Sequence, residues 1–437
     1  MILPGPRART AAALSLVLAT MLGAQAHAWE LARVETRVDN LDELLRGCAA
    51  RRAEVVQHNR AIDAWVAYQE MLGEDVRGEF AKQIEPACAA ETIGAWVASR
   101  EPGVWALTSP GEEDLLFATV NLPVPGLLVS SDGGRSWHYR HLFLAGYNVD
   151  HGFLLRGVAY RHGLLAVATG RGLLLSHDQG ATFAAVLEGL PITAVAISPR
   201  DGLGIVAGGD GTSFLSTDGG NTWMDLGFTQ FTRALSTRNR YLTSHVTSIE
   251  FDPRGDGIGI VYVGTGSHLY RFVMSGSGGG PGRWQAMEGD RQGRVHDDST
   301  VYNVAIGSRF MISTCNGVYV LSRLGADLDR AQADVSWQKF RDASFSGRGV
   351  GGPKGNLRSY FVAEDPTDAR RILVADFAGL YEGRSDGGRM RWKRVEDLPY
   401  YSPDAGYPEY TAITWTNAGE AVVGSRYRGI FFQSRAR

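Results

Sequence analysis

Lysine, cysteine and net charge are what this chain has least of. Only Lys82, Lys339, Lys354 and Lys393 stand among its 44 basic residues, 3 cysteines occur in 437 positions, and the formal charge is -3. A nearly balanced charge removes the electrostatic footprint of a nucleic-acid binder, and none is expected as a partner. Three cysteines are too few for a disulfide scaffold, and neither a CxxC pair nor a CxxCH haem site occurs. The apolar run from Ala11 to Gly23 is too short to cross a bilayer, so a membrane-spanning protein is not expected. No His or carboxylate cluster has the spacing of metal ligands, so neither a metal nor a cofactor is implied. The bias of arginine over lysine follows base composition as readily as chemistry and carries no weight here.

Glycine is abundant instead: 55 residues, about 13 % of the chain, with 10 % aromatics and 21 % charged residues. Glycine without the strict triplet period of collagen, set among short apolar runs, describes many short strands joined by tight turns. The composition therefore predicts an all-β chain with one large domain.

The first 28 residues carry Arg7 and Arg9, the apolar run, and then Ala26-His27-Ala28. This is the charged, apolar and small-x-small order of a secretory signal. Cleavage after Ala28 would leave 42 basic and 47 acidic residues, a charge of -5, in a periplasmic or secreted protein. In an oxidising compartment Cys48 and Cys88, which share the N-terminal segment, are the natural disulfide pair. Cys315 ends a strand-like stretch and reads as a small buried hydrophobe. Residues 29–91 read as helical: Leu41, Leu44, Leu45, Cys48, Val55, Val56, Ile62 and Val66 recur at three- and four-residue steps up to Met71. A further helix from Asp75 to Ala90, with Phe80, Ile84 and Cys88 on one face, completes a hairpin expected to cap the next domain.

Beyond residue 92 the period changes to two, and a unit repeats. Three copies align without gaps: Ser130-Ser-Asp132-Gly-Gly-Arg-Ser-Trp137, Ser176-His-Asp178-Gln-Gly-Ala-Thr-Phe183 and Ser216-Thr-Asp218-Gly-Gly-Asn-Thr-Trp223. Each follows an apolar strand, so S-x-D-x-G-x-[ST]-[WF] predicts strand, tight turn, strand. The Asp carboxylate accepts turn N–H groups, Gly supplies a positive φ, and the aromatic packs between sheets. The pattern resembles the Asp-box, or BNR, repeat of the sialidase-like β-propellers, with worn copies near Trp284, Trp337 and Trp392. Asp132, Asp178 and Asp218 are 46 and 40 residues apart, a spacing that suits one four-stranded blade per repeat. Strand groups at 104–140, 153–186, 192–226, 246–287, 301–340, 358–395 and 410–434 predict seven blades, with six or eight as the margin. The last group has three strands, and its missing outer strand is expected from Ile93 to Ser99, closing the ring of a propeller domain at 92–437.

In such blades the repeated turn lies on one face, while the long connections between blades open on the other, where binding groups collect. Arg171, His245, Arg294, His296, Arg358, Tyr360, Arg426 and Arg428 are the candidate ligand-binding residues of that face. Two readings compete. Resemblance to sialidases implies an arginine clamp from Arg171, Arg358 and Arg426, a nucleophile at Tyr410 or Tyr360 with Glu409, and an acid at Asp210 or Asp376. The family's N-terminal Arg-Ile-Pro motif is missing, which weakens that activity. A polysaccharide lyase acting on an anionic glycan, with His245 or His296 as base, is a variant of the same reading. The chain also resembles exported photosystem II stability and assembly factor-like propellers, which implies a non-enzymatic protein that engages a protein segment, or an anionic or carbohydrate ligand, through an arginine-rich patch. No catalytic motif survives inspection, which favours binding.

Overall fold

The short apolar runs fold as strands because branched and aromatic residues alternate within them and Gly, Asp or Asn ends them. The computed structural model describes residues 27–39, 41–72, 103–108, 114–120, 126–142, 155–236, 245–254, 259–274, 282–287, 300–315, 317–324, 333–340, 359–376, 379–386, 389–399 and 408–435. Among these lie two helices and 29 strands, and the strands form seven antiparallel blades. Blade 1 holds β3 (Val104–Leu107) to β6 (Ser136–His141), blade 2 holds β7 (Leu155–Arg161) to β10 (Ala184–Val186), and blade 3 holds β11 (Ile192–Ile197) to β14 (Met224–Asp225). Blade 4 runs from β15 (Val246–Phe251) to β18 (Arg283–Ala286), blade 5 from β19 (Val301–Ile306) to β22 (Val335–Lys339) and blade 6 from β23 (Ser359–Glu364) to β26 (Arg389–Arg394). Blade 7 contributes β27 (Tyr410–Trp415), β28 (Ala421–Ser425) and β29 (Gly429–Arg435). The first strand of each blade packs on the first strand of the next, all the way round from β27 to β3, so these seven strands wall the axis. The propeller fold and its seven blades are as the repeat predicts.

There is no single core. Apolar side chains gather in seven layers, one at each seam between blades. The repeated turn is built for this seam. Each Ser hydroxyl accepts the N–H of the glycine four residues on, at 2.9, 2.7 and 2.8 Å for Gly134, Gly180 and Gly220. Each Asp accepts the backbone N–H of Ser136, Thr182 or Thr222 at 2.9 Å and its hydroxyl at 2.6 Å. Gly220 has φ +95°, and a Cβ there would lie 2.1 Å from Leu175 Cδ1 of the preceding blade. Glycine is therefore demanded twice, by backbone sign and by contact. Trp137, Phe183 and Trp223 follow, buried or half-buried, and Trp137 and Trp223 donate Nε1–H to the carbonyls of Gly134 and Gly220 at 2.9 and 3.0 Å.

Closure differs from the sequence expectation. The outer strand of blade 7 is β1 (His27–Leu31), antiparallel to β29 with Trp29 opposite Gln433 and Leu31 opposite Phe431. The next strand, β2 (Arg33–Asp39), adds in parallel to the outer edge of blade 1. Residues 27–39 thus cover the open edges of two neighbouring blades, with Ala32 buried between them and donating its N–H to Ile430 O at 2.8 Å. Ile93 to Ser99 lie outside the described residues, and the place assigned to them is filled. The physical reason is alternation: Trp29 faces the layer between blades 6 and 7, and Val34 the layer between blades 7 and 1. The helical segment accordingly starts later, as one helix, α1 (Leu41–Met71). Trp65, Tyr68 and Met71 on it, and Leu72 just past its end, are exposed. Neither described helix is long and apolar enough to cross a membrane. Cys48 lies on α1, but Cys88 falls outside the described residues, as do residues 1–26. Cys315 is free and half-exposed rather than buried, since it stands just past the end of β20 (Phe310–Thr314).

Candidate functional site

Every inner strand shifts register at its second residue. Pairing skips Trp105, Arg156, Thr193, Thr247, Tyr302, Tyr360 and Thr411, one in each of β3, β7, β11, β15, β19, β23 and β27. A bulge re-aims its extra residue and leaves it out of the ladder. Here all seven fall at the same end of the inner strands, where the connections from the previous blade arrive. Three are threonines that stitch blades: Thr193, Thr247 and Thr411 donate their hydroxyls to the carbonyls of Val246, Val301 and Val104, each the first residue of the next inner strand, with Thr411 at 2.8 Å. Large side chains occupy the other four positions, so the ring is asymmetric. Trp105, Arg156 and Tyr302 line an axial channel of about 460 Å³ together with His245, Asn303 and Arg426.

The mouth of this channel is built around Trp105. The Arg156 guanidinium stands over its ring at 5.3 Å and that of Arg426 at 4.2 Å. Arg426 comes from the turn between β28 and β29, where Ser425 Oγ accepts the N–H groups of Tyr427 and Arg428 at 3.2 and 2.9 Å. Its Nη1 lies 2.7 Å from Glu409 Oε2, and its N–H donates to Glu409 O at 2.9 Å. Arg156 makes no ion pair and no hydrogen bond among the described residues. Burial, then the like charge of Arg426, lower its pKa, while Asp210 raises it. Two guanidinium groups of one sign therefore share one indole, and a single carboxylate answers them directly.

Asp210 and His245 form a separate exposed pair, Asp210 Oδ1 meeting His245 Nδ1, and their backbones bridge as well. This ties the turn between β12 (Ile205–Gly209) and β13 (Ser213–Ser216) to the start of blade 4. Arg171 is exposed on the turn after β8 (Leu164–Thr169), outside the channel lining. Arg428 sits half-buried beside exposed Tyr427. Arg294, His296 and Arg358 lie outside the described residues, and Tyr360 is placed only as the second residue of β23.

The proposed catalytic groups are engaged elsewhere. Tyr410 is fully buried and donates its hydroxyl to Pro399 O at 2.8 Å, and burial drives its pKa far above that of a free phenol. Glu409 answers Arg426 and not a tyrosine hydroxyl, because its backbone, at φ +44°, is turned toward β28 and the turn after it. Asp376 is 1 % exposed and accepts the Gly379 N–H at 2.7 Å. It ends the second strand of its blade, opposite the first residue of the inner strand, as Thr169, Thr265, Thr314 and Ser425 do in theirs. That position builds the turn. Sequence reasoning found Arg426 but passed over Trp105 and Arg156, whose only signal is their place as the second residue of an inner strand.

No family model matches the chain, and no curated protein matches it in sequence. Solved structures do match in shape. The GH74 xyloglucanase from Xanthomonas campestris aligns at a TM-score of 0.54 and 17 % identity over 76 % of this chain and 52 % of its own. The extracellular domain of the putative one component system BT4673 from B. thetaiotaomicron aligns at 0.50 and 14 %, over 76 % and 38 %. YCF48 bound to D1 peptide aligns at 0.48 and 11 %, over 77 % and 94 %. The chain thus spans about half of the xyloglucanase and less of the BT4673 extracellular domain. At these identities the likeness is one of fold.

Proposed function

We propose that this protein is an exported, non-enzymatic propeller of the Asp-box kind that binds a carboxylate-bearing protein segment at the axial mouth. The observation that carries this reading is Arg156: a half-buried guanidinium with no ion pair or hydrogen bond among the described residues, stacked on Trp105 and set beside a second guanidinium. A buried cation is costly unless something pairs with it, and a planar donor fork is suited to carboxylate. The aromatic floor holds the guanidinium groups in place, so little ordering is left for binding. Against hydrolysis stand the engagements of Tyr410, Glu409 and Asp376, which leave no tyrosine and carboxylate pair poised as a nucleophile among the described side chains. An anionic glycan would meet the same arginines, and it enters the test as the competing ligand.

The test is a panel of glutamate-rich peptides, polygalacturonate, sialosides and neutral xyloglucan, bound to wild type and to Arg156→Ala at low and high salt. The expected result is salt-sensitive binding of the acidic peptides, weakened roughly 10- to 100-fold by the substitution, as befits loss of a charged hydrogen bond of about 1.5–3 kcal/mol. Preference for a glycan, or release of reducing sugar from any member, contradicts the proposal.

A further inference from the structure

Glu409 is the unusual residue at this mouth. It carries a positive φ of +44°, a left-handed backbone that an L-residue of its size rarely adopts. The strain directs a carboxylate onto Arg426, since the Arg426 N–H holds the Glu409 carbonyl at 2.9 Å. Yet the pairing is a charge contact rather than a completed set of hydrogen bonds: Glu409 Oε2 and Arg426 Nε are both buried and neither makes one. The Trp105 ring lies 4.2 Å beneath the guanidinium, a hold on it that is separate from the carboxylate. A group that is strained, charged and imperfectly bonded, set on the binding arginine itself, has the geometry of a stand-in.

We infer that Glu409 is an internal competitor, a carboxylate of the chain that occupies Arg426 until a ligand carboxylate displaces it. The inference rests on the binding reading above and adds to it a residue that sets affinity and selectivity. Arg156 and Arg426 together carry one positive charge more than Glu409 supplies, and Asp210 acts on Arg156 only through its field, with no ion pair. A ligand carboxylate satisfies Arg156 first and then contests Arg426. Once displaced, Glu409 remains nearby as a negative charge and opposes ligands of high charge density. The ligand class it selects is a chain with single, spaced carboxylates rather than phosphate or sulfate clusters.

Affinity for a fluorescein-labelled hexaglutamate peptide, read by anisotropy with wild type, Glu409→Gln, Glu409→Gly and Arg156→Ala, tests this. Glycine accepts the positive φ, so Glu409→Gly guards against a variant that fails for lack of folding. The expected result is 5- to 30-fold tighter binding by both Glu409 variants, with a melting temperature within about 2 °C of wild type or above it, and weaker binding by Arg156→Ala. A hexaphosphoserine peptide should gain more from Glu409→Gln than hexaglutamate does. If both Glu409 variants bind as wild type does or more weakly, while Arg156→Ala still weakens binding, Glu409 is a structural support and this inference falls alone. If no variant and no wild type binds hexaglutamate, the binding reading falls and the inference with it.

Discussion

Glu250 offers a sharp physical test of the channel. It lies on β15 in the axial lining, and burial pushes its carboxyl up to about 7 from 4.5, with Arg161 of β7 opposing the rise. The folded protein therefore holds a proton that the unfolded chain releases between pH 4.5 and 7. A carboxyl raised in the folded state stabilises folding below its unfolded value and loses that contribution as pH climbs to the folded value. At about 1.4 kcal/mol per pH unit, the loss across this window reaches about 3 kcal/mol as an upper figure. Glu250→Gln keeps the shape and removes the charge. It should flatten stability between pH 5 and 7.5 and raise the melting temperature at pH 8 by about 3 °C, since a chain of this size gains roughly 1 °C per kcal/mol. Urea and thermal melts of both proteins across pH 4.5–8.5 measure it. A slope that is unchanged by Glu250→Gln, or a wild type that gains stability with rising pH in this window, refutes the reasoning.

Other outcomes follow from the turns and the seam. Asp178 and Asp218 are held near 2, each chiefly by the hydroxyl of Thr182 or Thr222. Their stabilisation is complete above about pH 4 and is lost as pH falls toward 2, so far-ultraviolet melts should show acid unfolding that Thr222→Val brings to higher pH. Gly220→Ala must clear Leu175 at 2.1 Å as well as the positive φ, whereas a Cβ at neighbouring Gly219 (φ +72°) meets nothing closer than 3.6 Å. Calorimetry should find Gly220→Ala the costlier by about 1–2 kcal/mol, and equal costs would contradict the packing described. Deleting residues through Leu31 strips β29 of its partner, and size-exclusion chromatography should show association through the bared edge.

The seven blades were legible because the signal repeats: strand, S-x-D turn and aromatic return at blade spacing, and each copy reinforces the others. Closure was not legible. His27 and Ala28 belong at once to a small-x-small export pattern and to a strand, and a single short segment carries no period by which to choose. The site was partly legible. Arg426 stood out as a turn residue beside Tyr427 and Arg428, but Trp105 and Arg156 look like ordinary strand residues until a bulge turns them to the axis. Glu409 was readable as an acid and not as a partner of Arg426, since that pairing follows from the left-handed turn of its backbone.

The central claim is that a ligand carboxylate seats on Arg156 above Trp105. A crystal structure of the protein with a bound glutamate-rich peptide tests it most directly. The account predicts a carboxylate within about 3 Å of an Arg156 guanidinium nitrogen, with the peptide crossing the channel mouth. A peptide lodged on another face, with Arg156 still unanswered, would contradict it.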